Sequence, residues 1–374
     1  MENSKSESRW ILDKKNSALQ HFNKLQMPST VYGLGIFANS EVNLNNLDIK
    51  TNQVSVISKD AIVVNFNNPG EYESLIKEHF QSTVKEDENK LTALHYSKFN
   101  GILIYIPKNK EASPIQIDSN LIADSIDHIL IVADTNSRAY ILDSAKSTTS
   151  KFRSQVVEII AKENAKIDYI SLQNLSRETT NFTIRRALVE KDASVNWFDY
   201  CLGSKFSKIT TTTNLNGQGA ASINLGIFFG DKTQLYDIQN SSIHNSSFTK
   251  CDMLTKGVLK DKAKAVYRGL IKIQPNAPNS EGYQKEETML IGEDAEADAV
   301  PILEIHNDNV KCKHGTSIGQ LDKEKLFYMT SRGLDEDTAK AKIIEGFFES
   351  MMSKLPEDFV NLSFREIINE RLKC

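Results

Sequence analysis

The stretch Pro301–Leu321, PILEIHNDNVKCKHGTSIGQL, concentrates the side chains best suited to chemistry: Glu304, His306, Cys312 and His314. Alternate side chains of an extended chain point to one face. Glu304 and His306 therefore share a face of one expected strand. Cys312 and His314 share a face of the next, with Val310 one step further back. Thiolate and imidazole both ligate iron or zinc. Two ligands do not complete a site, so another segment or a second chain must supply the rest. The plain alternative is a packed thiol beside a satisfied histidine. Cys201, Cys251 and Cys374 are scattered and no CxxC spacing occurs, so neither a zinc ribbon nor a thioredoxin-like redox pair is expected. Gly33-Leu34-Gly35 lacks the third glycine and the following helix of a dinucleotide loop. Asn216-Gly217-Gln218-Gly219 precedes a strand, and both glycine pairs read as turns. GxxxxGKS/T, GxSxG and HExxH are all missing from the sequence, so no nucleotide site or catalytic constellation of the chain's own is expected.

Several elements must position these residues. Residues 8–26 have helical spacing and stop before Pro28. Val54–Ile57 and Ala61–Phe66 are β-branched segments, Pro69-Gly70 breaks the run, and Tyr72–Val84 predicts a helix followed by a polar loop at Glu86–Asn89. From about Leu91 short apolar stretches recur between polar breaks, among them Ile102–Ile106, Ile129–Ala133, Val156–Ile160, Ser222–Phe229 and Val300–Ile305. No amphipathic helix and no strict repeat stand out in this region, so an all-β unit is expected, with sandwich, barrel and β-helix all open. After about Ile318 the period becomes helical. Asp322 can cap Lys323–Arg332, Gly333 can end it, and Asp335 can cap a longer helix carrying Ala339, Ile343, Phe347 and Met351. Ser363 and Glu366 form a capping-box pattern for a last helix. The expected units are a mixed region over 1–90, a β core over 91–318 and a helical region over 319–374.

Composition narrows the partners. The chain has 374 residues and a net charge of −4, which argues against broad binding to nucleic acid or to an anionic membrane. MENSKSESRW carries no apolar signal segment, and no apolar run reaches transmembrane length. A few scattered thiols fit a reducing compartment, so a cytoplasmic protein is expected.

Val310-Lys-Cys-Lys-His-Gly315, Gly319-Gln-Leu-Asp322 and Leu326-Phe-Tyr-Met-Thr-Ser-Arg-Gly333 closely resemble the C-terminal signature of the SufB/SufD family, scaffold subunits of the Suf iron–sulfur cluster assembly machinery. Met289–Gly292, Tyr267–Ile273, Gly101–Lys108 and His128–Ala133 resemble its core segments, so the likeness runs from about Leu91 to about Phe348. The resemblance implies a mainly β fold, a right-handed parallel β-helix between an α/β N-terminal region and a helical C-terminal one. It favours a SufD-like subunit. SufB-type chains carry an acidic-His-acidic triplet where Lys313-His314-Gly315 stands, and a cysteine near the position of Glu286. By resemblance the chain is a scaffold and not an enzyme. It pairs with SufB, or with a second copy of itself, and binds the SufC ATPase through 320–355. Candidate contacts there are Leu326, Phe327, Tyr328, Arg332, Phe347 and Phe348. ATP-driven motion of SufC would expose a transient iron–sulfur cluster at the subunit interface, and apo iron–sulfur proteins would benefit indirectly. His314 would contribute to that cluster, with Cys312 a secondary candidate metal ligand. A reduced flavin is a family association for which the sequence shows no motif. The alternatives are a SufB-type or ancestral homo-oligomer that assembles the cluster itself and, more distantly, a β-helix carbohydrate-active enzyme.

Overall fold

The computed structural model of the chain describes residues 8–26, 31–32, 36–37, 44, 47–49, 53–352 and 371. The Gly33-Leu34-Gly35 turn, the Ser363 capping box and Cys374 lie outside them. The order is α1 Arg9–Lys24, β1 Val31–Tyr32, β2 Ile36–Phe37, β3 Gln53–Ile57, β4 Ile62–Asn65, a 3-10 turn, α2 Glu73–His79 and α3 Lys90–Lys98. Sixteen solenoid strands follow: β5 Asn100–Ile106, β6 Glu111–Leu121, β7 Ser125–Ala133, β8 Arg138–Ser147, β9 Phe152–Ala161, β10 Lys166–Asn174, β11 Thr180–Val189, β12 Ser194–Cys201, β13 Phe206–Leu215, β14 Ala221–Gly230, β15 Leu235–His244, β16 Lys250–Leu259, β17 Lys264–Ile273, β18 Glu281–Leu290, β19 Glu296–Ile305 and β20 Lys311–Gln320. Helices α4 Lys323–Ser331 and α5 Glu336–Met352 come last.

The even strands from β6 to β20 form one parallel sheet and the odd strands from β5 to β19 form another, giving a parallel β-solenoid of about eight turns. The sequence hides the repeat because its length varies. Thr180 pairs with Phe206 in one coil, whereas Lys264 pairs with Glu296 in another. What recurs is a left-handed residue in the turn from odd to even strand: Asn109, Asn136, Asn164, Asp192, Gly219, Phe248 and Asn279. Asparagine tolerates that conformation, and its side chains stack from coil to coil, Asn164 donating to Asn136 at 2.8 Å and Asn136 to Asn109 at 2.9 Å. Phe248 is the exception, with φ of 60° and half its surface exposed. Phe248→Asn is expected to stabilise the chain by about 1 kcal/mol in urea unfolding. An unchanged midpoint would show that the turn is not strained.

Inward residues, including Ile104, Ile131, Val157, Tyr169, Val195 and Trp197, make a continuous apolar interior. On the outer face of the odd sheet, Phe152, Val156 and Ile160 of β9 pack with α1, α2 and α3. On the outer face of the even sheet, Ile170, Leu225, Ile227 and Phe229 pack with Ala341, Ile344, Phe348 and Met351 of α5.

Two sequence expectations change. The helix expected over Tyr72–Val84 ends at His79, because the chain peels away and Gln81, Thr83 and Val84 donate their backbone N–H groups to Glu158. The expectation that no helix interrupts the chain after Leu91 fails at α3, which starts on a capping box of Asn89 and Thr92. Leu91, Ala93, Leu94, His95 and Tyr96 are all buried, so α3 has no polar face to give it away.

Candidate functional site

The two ends of the solenoid differ. At the first coil, the short strands β3 and β4 add antiparallel to β6 and β5 and are outermost there, covering the edges of the parallel coils. At the last coil, β19 and β20 are the outermost strands of their sheets, and among the described residues nothing pairs with their free edges. Such an edge is a template for another chain. Val300, Ile302, Ile305 and Ile318 of these strands are exposed.

Strand β20 continues the inward column of β18. Gly282 pairs with Cys312, Gln284 with His314 and Glu286 with Thr316. Cys312 and His314 do share the inward face, as alternation predicts. No further coil covers that face, so His314 is exposed although it points into the solenoid axis. Cys312 is half-buried and packs against the apolar interior, and burial pushes its thiol pKa up. A protonated thiol is a weak ligand. The other pair lies elsewhere. Glu304 sits on the outer face of β19, 2.8 Å from Lys272, and His306 falls just past the strand end. Neither reaches the inward face that carries His314.

Gln284, which the sequence did not single out, and Glu286, noted there only as the position of a SufB-type cysteine, lie directly behind His314. Gln284 and Glu286 are buried, and Thr288 donates its hydroxyl to one oxygen of Glu286. Burial raises the Glu286 pKa from 4.5 to about 7. No local pattern of residue types marks the pair as neighbours of His314, which follows only from the stacking of β18 under β20. Deeper in, Cys251 shares the column through Gly282 and lies 3.3 Å from His244 Nε2. Burial pushes the Cys251 thiol up to about 12 and the His244 imidazole down to about 4, so both are neutral at pH 7. Cys201 is likewise buried, its thiol also raised to about 12. Among the described residues no group of three His, Cys, Asp or Glu side chains is placed to hold a metal ion.

The C-terminal helices present a second surface. Asp322 caps α4 by accepting from the N–H groups of Glu324 and Lys325, both at 3.0 Å. This fixes the first turn of α4, and a cavity of about 350 Å³ is lined by Ile291, Leu321, Lys323 and Leu326 together with Lys340 of α5. Phe327 and Tyr328 are 73 % and 60 % exposed, and the Arg332 guanidinium lies 5.3 Å from the centre of the Tyr328 ring. Leu326 is half-buried. Phe348 is not available as a contact residue: it is fully buried against the even sheet, with Met351 and Met352. Phe347 is half-buried under Lys256, whose Nζ donates to its carbonyl at 2.7 Å. The face of α5 that packs on the even sheet is Ala341, Ile344, Phe348, Met351 and Met352, and Phe347 of the every-four-residue stripe lies at its edge.

Comparison with known proteins decides the family. Residues 116–347 match the family model described as SUF system FeS cluster assembly, SufBD core domain. The chain belongs to the SufBD family. An iron–sulfur cluster assembly SufBD family protein of Staphylococcus haemolyticus is 30 % identical over 350 residues, covering 90 % of this chain and 74 % of that protein. The counterpart in Staphylococcus saprophyticus has the same identity and coverage, and one in Staphylococcus aureus is 29 % identical. The SufBD core match spans the solenoid from β6 and ends within α5, so the open last coil and α4 lie inside it. No helix among the described residues of this SufBD chain is long and apolar enough to cross a membrane.

Proposed function

We propose that this SufBD chain is a SufD-like, non-catalytic scaffold subunit of the cytoplasmic Suf machinery. It pairs through its open last coil with SufB or with a second copy of itself. At that junction His314 helps hold a transient iron–sulfur cluster destined for apo iron–sulfur proteins. Helix α4 docks the SufC ATPase, whose ATP-driven motion moves the junction and opens the site.

The observation that carries this reading is the unclosed coil. Its two sheet edges are unpaired among the described residues, and its inward imidazole is exposed at the rim. A second chain stacked there would satisfy the free N–H and C=O groups, cover Val300, Ile302 and Ile318, and bring its own ligands to His314. Iron–sulfur clusters are held by thiolates with histidine as an accepted substitute, so a ligand set divided between two chains fits the lone histidine on the inward face of the last coil, His314.

The α4 patch supports docking because two aromatic rings and a guanidinium stand in water beside a fixed helix, the residue types that dominate interface energetics. Phe327→Asp combined with Tyr328→Asp is expected to leave the melting temperature unchanged, since both side chains are largely exposed. SufC retention in a pull-down should fall by roughly tenfold or more. Undiminished retention would remove α4 from the docking surface.

A further inference from the structure

Two coils behind the open end, soft ligand atoms converge inside the corner where β15 turns into β16. Cys251 and Met253 alternate onto the inward face of β16, and both belong to the apolar interior. His244 ends β15 opposite them, with its Nε2 3.3 Å from the Cys251 Sγ. The Ser242 hydroxyl lies 3.5 Å from the Met253 Sδ and also bonds the Cys251 thiol, so the two sulfurs flank one hydroxyl. The tautomer of His244 is set from behind. Thr249 gives its hydroxyl proton to the Ser246 carbonyl at 3.0 Å and accepts from His244 Nδ1 at 2.7 Å. The bare Nε2 lone pair therefore faces the thiol. A histidine whose far N–H is fixed by a second partner is in the form that ligates metals.

With bonds of about 2.0 Å to nitrogen and about 2.3 Å to sulfur, a metal ion holds an imidazole and a thiolate about 3.5 Å apart at a tetrahedral angle. The observed 3.3 Å needs almost no opening. Met253 supplies a third ligand, since a thioether on three rotatable bonds adapts to the space available. We propose that Cys251, His244 and Met253 form a buried site for one soft monovalent metal ion such as Cu(I). Two sulfurs and an imidazole set the softness. The setting fixes the charge. The thiol releases its proton to solvent as the metal–sulfur bond forms, and the single thiolate then neutralises a monovalent ion. A divalent ion would leave a net positive charge in the apolar interior that holds both sulfurs, at a large desolvation cost. The way in is along the column. Gly282 pairs with Cys251 on one side and with Cys312 on the other. A Cβ at Gly282 would stand 3.4 Å from the Cys251 sulfur, so the thiol lies directly under a position that carries no side chain. An ion entering at the open end reaches Cys251 behind Cys312. Once bound, it ties the odd sheet to the even one at this corner, whether or not the chain assembles clusters.

The test is anaerobic titration of the full chain with Cu(I) against the chelator bicinchoninate, with copper X-ray absorption on the loaded protein. One ion per chain should be withheld from the chelator, with one nitrogen at about 2.0 Å and two sulfurs at about 2.3 Å. Affinity should fall about a hundredfold or more in C251S and about tenfold in H244Q. It should fall by a smaller factor in M253L, which conserves volume in the core. Near-ultraviolet circular dichroism establishes that each variant is folded. If C251S does not fold, the other two decide, and unchanged affinity in both overturns the proposal. A tight ion that survives in folded C251S overturns it, and its loss in C312S instead would place that ion at the open end. A wild-type chain that yields all its copper to the chelator, or a bound ion without a nitrogen ligand, overturns it as well.

Discussion

Glu158→Ala is expected to destabilise the chain by about 4 kcal/mol. Glu158 is fully buried on the outer face of β9, beneath the segment that joins α2 to α3. Its carboxylate accepts from the N–H groups of Gln81 at 2.9 Å, Thr83 at 2.8 Å and Val84 at 3.2 Å, and from the Thr83 hydroxyl at 2.6 Å. His128 Nε2 lies 3.3 Å away. Alanine leaves three backbone donors and an imidazole buried around an empty centre. Glutamine keeps part of the acceptor capacity and should cost less. Burial alone would raise the Glu158 carboxyl pKa. The adjoining His128 and the Thr83 donors outweigh it and hold the pKa below the ordinary 4.5. The stabilisation is therefore fully present above about pH 4.5 and is lost as pH falls through the folded-state value. Urea unfolding at pH 7 measures the effect; a loss under about 1 kcal/mol would mean that this carboxylate does not anchor the N-terminal layer.

The second large effect runs in the opposite direction with pH. Glu286 has its pKa raised from 4.5 to about 7, so the folded chain binds that proton more tightly than the unfolded chain does. Stability from this group is full below about pH 4.5, falls as pH rises toward 7, and is then flat. The difference amounts to about 3 kcal/mol. Glutamine is neutral throughout. Glu286→Gln should therefore gain about 3 kcal/mol relative to wild type between pH 4.5 and pH 8, measured as paired urea titrations at the two values. A gap that does not change with pH would show that Glu286 is solvated at the mouth.

Alternation placed Cys312 and His314 on one face from the sequence alone, because strand geometry is local. The α4 cap at Asp322 and the stripe of α5 were legible for the same reason, since one polar and one apolar side suffice to reveal a helix. Helix α3 was hidden because burial on every side removed its polar face. The coil repeat was hidden because the turns vary in length and in residue type, with Asn, Asp, Gly and Phe all serving the left-handed position. The open mouth and Glu286 were beyond any local pattern. The one depends on what fails to pair with β19 and β20, and the other on which strand stacks beneath His314. Phe348 misled because an apolar side chain near an interface helix reads the same whether it faces a partner or its own sheet.

The central claim is that His314 contributes to a cluster assembled where the last coil meets a second chain. The most direct measurement is cluster yield, by absorbance and iron counting, in the anaerobically reconstituted complex of this chain with its pairing subunit and SufC, wild type against His314→Ala. His314 is exposed, so the variant should fold and pair normally. The expected result is a yield reduced roughly tenfold or more, in line with the loss of a metal ligand's contribution. Wild-type yield from a fully assembled His314→Ala complex would contradict the role assigned to the open coil.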